Sequence, residues 1–278
     1  MAAQSMRVGD VEIIALTDSF FPCPINVGFP SVPVERWREL APEVAEQGVA
    51  RLTIGCFAVR TPRRTVLVDT GIGPGGAPGF GIAPGRLPDA LREAGLSVED
   101  FDTVAITHLH VDHVGWNARE QDGRWQPVFP RARYYIARRE YDYFSQPQQL
   151  EQSPFLRGQA VALVEAGLVE LYEGEVTLAE ELTLIATPGH TPGHASVAIT
   201  SGDERGFILG DVAHHPSQVT HPDIRVAFDT DGDQAQRTRE AMWQRIIELG
   251  AKVAAGHFPP PGFGRIVLAE GRRMWQGV

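Results

Sequence analysis

The chain has 278 residues, 43% hydrophobic and 22% charged, enough to bury a large core, which excludes wholesale disorder. Its net charge of -10 repels phosphate backbones, and no apolar run approaches the roughly 20 residues needed to span a bilayer, so nucleic acid and membrane are not expected partners. The first residues carry no signal-peptide pattern and the two cysteines, Cys23 and Cys56, cannot build a disulfide framework, so a cytoplasmic protein with reduced thiols is expected.

The elements alternate along the chain. Val11–Leu16, Ile54–Val59 and Thr65–Val68 read as strands, being β-branched and bounded by turn residues. Between the first two, Phe20 to Pro42 reads as a long loop rich in Pro and large apolar residues, and Gly71 to Gly85 as a Gly/Pro/Ala loop. Arg86–Ala94 predicts a helix, with Leu87, Leu91 and Ala94 on one face. Val104–Ile106 and Arg133–Ala137 predict short strands, and Gln152–Ala166 a helix. Leu182–Ile185, Ser196–Thr200 and Gly206–Leu209 predict strands, and Gln234–Leu249 a long helix behind acidic residues that suit its positive end. Lys252–Ala255 and Ile266–Leu268 close the pattern. Strands in both halves with interspersed helices imply two packed sheets with helices outside, in one domain over residues 1–278.

Chemistry concentrates at the strand ends. Thr107-His108-Leu109-His110-Val111-Asp112-His113 directly follows the strand predicted at Val104–Ile106. A fixed H-x-H-x-D-H pattern arises by chance in roughly one chain of this composition in two thousand. In an extended segment His108 and His110 point to the same side, and Asp112 and His113 then turn toward a second point nearby. Imidazole and carboxylate together suit zinc and similar divalent ions. The theme recurs, with His190 in Gly189-His190-Thr191-Pro192-Gly193-His194, Asp211 after Gly210, and His257 after Gly256, each just past a predicted strand.

With these residues in place the chain resembles the metallo-β-lactamase superfamily, from Asp69-Thr70-Gly71 to His257. The resemblance implies an α/β fold, an αββα sandwich of two mixed sheets with helices on the outer faces. It implies a first metal held by His108, His110 and His190, a second by Asp112, His113 and His257, and Asp211 bridging both, with Asp69 behind a ligand. The two ions are expected to be zinc, although manganese, iron and cobalt accept the same ligands. Five imidazoles and two carboxylates leave two dications with an excess positive charge. That excess favours a bridging hydroxide, since one metal can lower the pKa of bound water from about 15.7 to about 7.

Within the superfamily the chain is nearest to the group of N-acyl-homoserine lactonases and methyl parathion hydrolase. Gly210-Asp211-Val212-Ala213-His214-His215-Pro216, His221-Pro222-Asp223 and the Pro-rich stretch after His257 carry this likeness. It implies a hydrolase of lactones or carboxylic esters, with phosphotriesters as side substrates. The second reading is a thioesterase of the glyoxalase II kind or a β-lactamase of the same fold. Asp112 is expected to orient the nucleophile. His214 stands where the related lactonases carry a Tyr, and is expected to assist the leaving group. Phe20, Phe21, Trp116 and Phe263 are expected to line an apolar substrate entrance, and a homodimer is left open.

Overall fold

Alternating burial along the strands builds two seven-stranded sheets in the computed structural model, which describes residues 4–278. The first sheet holds β1 (Ser5–Val8), β2 (Val11–Pro24), β3 (Val49–Arg60), β4 (Thr65–Val68) and β5 (Thr103–Ala105). A hairpin of β6 (Ala118–Gln121) and β7 (Arg124–Pro127) stands apart, and β8 (Arg133–Ala137) and β9 (Val169–Tyr172) complete the first sheet in the order β1-β2-β3-β4-β5-β8-β9. The second sheet runs in simple succession: β10 (Val176–Ala179), β11 (Leu182–Ala186), β12 (Ala195–Ser201), β13 (Glu204–Ile208), β14 (Lys252–Ala254), β15 (Phe263–Ala269) and β16 (Arg272–Gly277). The chain therefore crosses from one sheet to the other once, at residues 173–175.

Three apolar layers hold the stack. Val11, Ile13, Val66 and Ala105 of the first sheet meet Leu184, Val197, Ile199 and Ile208 of the second. The first sheet's other face packs on the helices Leu87–Glu93, Arg138–Phe144 and Ala162–Glu165 through Leu91, Phe144 and Leu163. The second sheet's other face packs on the helix Gly232–Glu248 through Met242, Trp243 and Ile246. This is the expected four-layer arrangement of two mixed sheets between helices. No helix among the described residues is long and apolar enough to cross a membrane.

Two expectations are corrected. The segment from Phe20 is not all loop: β2 continues to Pro24, paired with β3, and the helices Ile25–Gly28 and Val34–Leu40 follow. Its prolines are tolerated because β1 pairs only with residues 11–14 of β2, which leaves Pro22 and Pro24 on a free edge. The helix expected at Gln152–Ala166 is broken. A helix Pro147–Gln152 ends before Pro154, and a π-helical turn Arg157–Val161 leads into Ala162–Glu165. Proline lacks an N–H and disfavours helical geometry in the residue before it.

Candidate metal centre

β11, β13 and β14 run in one direction, since β12 is antiparallel to its two neighbours and β13 and β14 are parallel. Their C-terminal ends thus share one edge of the second sheet, and the segments just beyond deliver His190, Asp211 and His257. The segment beyond β5 of the first sheet delivers His108 and His110, and the turn Val111–Val114 supplies Asp112 and His113. The structure brings all seven of these side chains together. His108, His110 and His190 place three ring nitrogens within 4.8 Å of one another, and Asp112, His113 and His257 form a second such group. Asp211 lies between them, its Oδ2 3.2 Å from His190 Nε2 and 3.0 Å from His257 Nε2, its Oδ1 3.3 Å from His113 Nε2.

The ring orientations are set from behind. Asp69 sits in the left-handed region at φ 60°. Its carboxylate accepts from Thr107 N (2.8 Å) and Thr107 Oγ1 (2.7 Å) and meets His113 Nδ1 at 2.8 Å. Asp229 Oδ1 lies 2.9 Å from His190 Nδ1, and His257 Nδ1 donates to Thr53 O at 2.7 Å. With the outward nitrogen of each ring so engaged, the inward nitrogen carries a lone pair.

Those lone pairs face one another and a carboxylate. His110 Nδ1 is 3.1 Å from His108 Nε2 and 2.9 Å from His190 Nε2. The buried His113 Nε2 and Asp211 Oδ1 have no hydrogen-bond partner. Only cations between these atoms satisfy such a donor set, and imidazole with carboxylate is what borderline divalent ions prefer. Protons are the other cations available: although burial opposes it, Asp211 and Asp229 push His190 up to about 9. Burial, helped by His113, holds His108 well below the usual histidine range. The cluster fits two divalent ions.

His194, part of the same Gly-His motif, does other work. Burial keeps it neutral, at about 3, so its Nδ1 donates to Thr187 O (2.9 Å) and its Nε2 accepts from Asp211 N (2.8 Å). It thereby fixes the backbone of the central carboxylate.

The cluster floors a cavity of about 340 Å³. Its walls are Phe21, Leu52, Phe80, Ile82, Val111, Phe155 and Phe228, with Gln152 and Ser153 at one side, and no Lys or Arg lines it. Asp112 and His214 face this space. Of the four expected wall residues only Phe21 is there. Phe20, its neighbour on β2, points to the other face, where the Arg51 guanidinium stacks 3.6 Å from its ring centre. Trp116 donates its indole N–H to Asp18 Oδ1 at 3.1 Å and packs against the helix-side core. Phe263 lies on β15 in the layer between the sheets, 5.9 Å from the Phe57 ring. Sequence reading missed Phe80, Phe155 and the buried carboxylates Asp18 and Glu140.

Known proteins resemble this chain in sequence and in fold. An N-acyl homoserine lactonase from Bacillus sp is 24% identical over 196 residues, 65% of this chain and 72% of its own. The N-acyl homoserine lactonase AttM of Azorhizobium caulinodans is 25% identical over 177 residues, 61% of this chain and 62% of its own. Among solved structures, AidC, a dizinc quorum-quenching lactonase, superposes with a TM-score of 0.85 at 24% identity, covering 100% of this chain and 97% of its own. The hydrolase AbOPH superposes with a TM-score of 0.85 at 27% identity, covering 100% and 98%. The family profile of the metallo-beta-lactamase superfamily matches residues 52–257, from β3 to the last histidine of the cluster, and the chain belongs to that superfamily.

Proposed function

We propose that the protein is a dinuclear zinc hydrolase of neutral, apolar lactones and carboxylic esters. The observation that carries this reading is the seven-residue His/Asp cluster at the floor of a cavity whose walls are apolar and carry no cation. His108, His110 and His190 would hold one ion, Asp112, His113 and His257 the other, and Asp211 both. Bound there, two such ions would supply Lewis acidity toward a carbonyl oxygen and a lowered pKa for water near neutral pH.

The chain's own residues do the rest. Phe21, Phe155 and Phe228 take the apolar arm of the substrate and exclude water around it. Asp112, less deeply buried than Asp211, presents its carboxylate to the cavity, where it orients the attacking water. A wall without Arg or Lys favours uncharged substrates over the two carboxylates of a glutathione thioester. The lactonase relatives support the lactone reading. A panel of acyl lactones, p-nitrophenyl esters, paraoxon, S-lactoylglutathione and nitrocefin decides it. Lactones and aryl esters should give the highest kcat/KM, and turnover confined to nitrocefin or S-lactoylglutathione would overturn the reading.

His214 is the remaining polar group of the site. It stacks on His257, rings 5.1 Å apart and 14° from parallel, and burial holds it neutral at about 4. Its Nε2 is 3.1 Å from Asp211 Oδ2 but off the hydrogen-bond line, and its Nδ1 has no partner. A neutral imidazole so placed can donate one hydrogen bond to a departing oxygen. His214→Ala should leave p-nitrophenyl ester hydrolysis nearly intact and cut alkyl esters by about 10²-fold. Its nitrogens also lie near His190 and Asp211, so metal content must be read alongside. Equal losses on both substrates, or loss of an ion, would remove the leaving-group role.

A further inference from the structure

Glu140 has no place in the chemistry above, yet it is among the most buried charged side chains of the protein, 1% exposed. It stands in the helix Arg138–Phe144, which follows β8 of the first sheet. Its Oε1 accepts from Leu109 N at 2.9 Å, the amide between His108 and His110. Its Oε2 accepts from Gly193 N at 2.8 Å, in the segment that carries His190. One carboxylate thus grips the backbone of two ligand segments that come from different sheets. Those segments supply the three histidines of one group and no ligand of the other. The approach is close: a Cβ on Gly193 would lie 2.3 Å from Glu140 N, so the segment rests directly on the helix.

We propose that Glu140 is the positioning residue of the three-histidine site, setting the separation of His108 and His110 from His190 without touching an ion itself. The inference rests on the two-metal reading of the centre. In the other group Asp112 and His113 are neighbours in one turn, so their spacing is set within a single segment. A charged acceptor shared between two buried amides is stronger than a neutral one and fixes both at once. Its loss lets the two segments part, and the ring nitrogens drift from the spacing an ion demands.

Two substitutions separate charge from span. Glu140→Gln keeps the shape but turns one acceptor into a donor, so either Leu109 N or Gly193 N loses its partner. Glu140→Asp keeps the charge but is one methylene too short to hold both. Apo protein is titrated with Zn²⁺ against a chromophoric chelator, with circular dichroism to establish folding; either variant that folds serves. One of the two ions should bind about 10- to 100-fold more weakly, the other unchanged. Added to His190→Ala, which already loses that site, Glu140→Gln should change metal affinity no further; added to His257→Ala it should. A purely structural role would lower the melting temperature of the apo protein and leave both affinities alone, and that result overturns the proposal. Equal weakening of both ions, or recovery of wild-type affinity by Glu140→Asp, overturns it as well. A wild-type chain that binds no Zn²⁺ refutes the two-metal reading and the positioning role together, whereas wild-type binding with unaltered variants refutes the positioning role alone.

Discussion

Asp211→Ala should cost both ions and lower kcat/KM on lactones or aryl esters by more than the roughly 10²-fold seen when an outer partner of a ligand is lost. Four histidines, His108, His190, His214 and His257, point an Nε2 at Asp211 Oδ2 from 3.0 to 3.7 Å, and His113 approaches Oδ1. Burial opposes its charge, but His257 and His113 hold the carboxyl well below the usual carboxylate range, so it stays an anion. Alanine leaves two dications and five imidazoles with one carboxylate, Asp112, among them. His190→Ala removes a ligand from one ion only and should leave the other bound. Elemental analysis of the two purified variants reads the difference. Equal, small losses from both would contradict a shared Asp211.

Arg239→Ala should destabilise the protein by about 3–5 kcal/mol, the usual cost of leaving a buried charge without its partner. The guanidinium is fully buried on the helix Gly232–Glu248. Its Nε donates to Val212 O at 2.7 Å, and its Nη1 to Pro222 O at 2.8 Å and Ile224 O at 2.9 Å. Its Nη2 lies 3.8 Å from Asp229 Oδ2, and Asp229 in turn holds His190. Alanine orphans Val212 O and Pro222 O, leaves Ile224 O with only Gln218 Nε2, and strips Asp229 of its neighbouring cation. Lysine recovers little, since one ammonium cannot match a fork with three acceptors. The melting temperature should fall on the order of 10 °C for a chain of this size. A fall of less than about 2 °C would show that the neighbouring backbone finds other donors.

How far the site could be read from sequence depends on how local each signal is. His108, His110, Asp112 and His113 lie in one run after one strand, so spacing alone places them together. His190, Asp211 and His257 repeat a Gly-plus-ligand pattern past β11, β13 and β14, and the parallel course of those strands gathers them. Glu140 offers no such cue: it follows two arginines on a short helix and reads as a solvated face, whereas tertiary contacts to Leu109 and Gly193 bury it. Asp18 is hidden for a related reason. A bulge between Thr17 and Ser19 turns it inward to accept from Ile72 N at 2.7 Å and Leu87 N at 2.6 Å, and bulges leave no composition signal. The aromatic wall is hidden where a strand reads as a Pro-rich loop. Alternation along β2 would have separated Phe21 from Phe20 at once.

The single crossing at residues 173–175 has a thermodynamic consequence. Each ligand group draws on both sides of that crossing: His108 and His110 need His190, and Asp112 and His113 need His257. Neither half alone can bind an ion with its full set. An ion held by a full set would therefore depend on the docked state of the two sheets and would act as a clamp across them rather than as a passenger in one. At a free ion concentration 1,000 times its dissociation constant, each clamp adds about 4.1 kcal/mol against separation. By the same linkage, chelation should lower the melting temperature as well as stop turnover, because it frees the seam between the two halves.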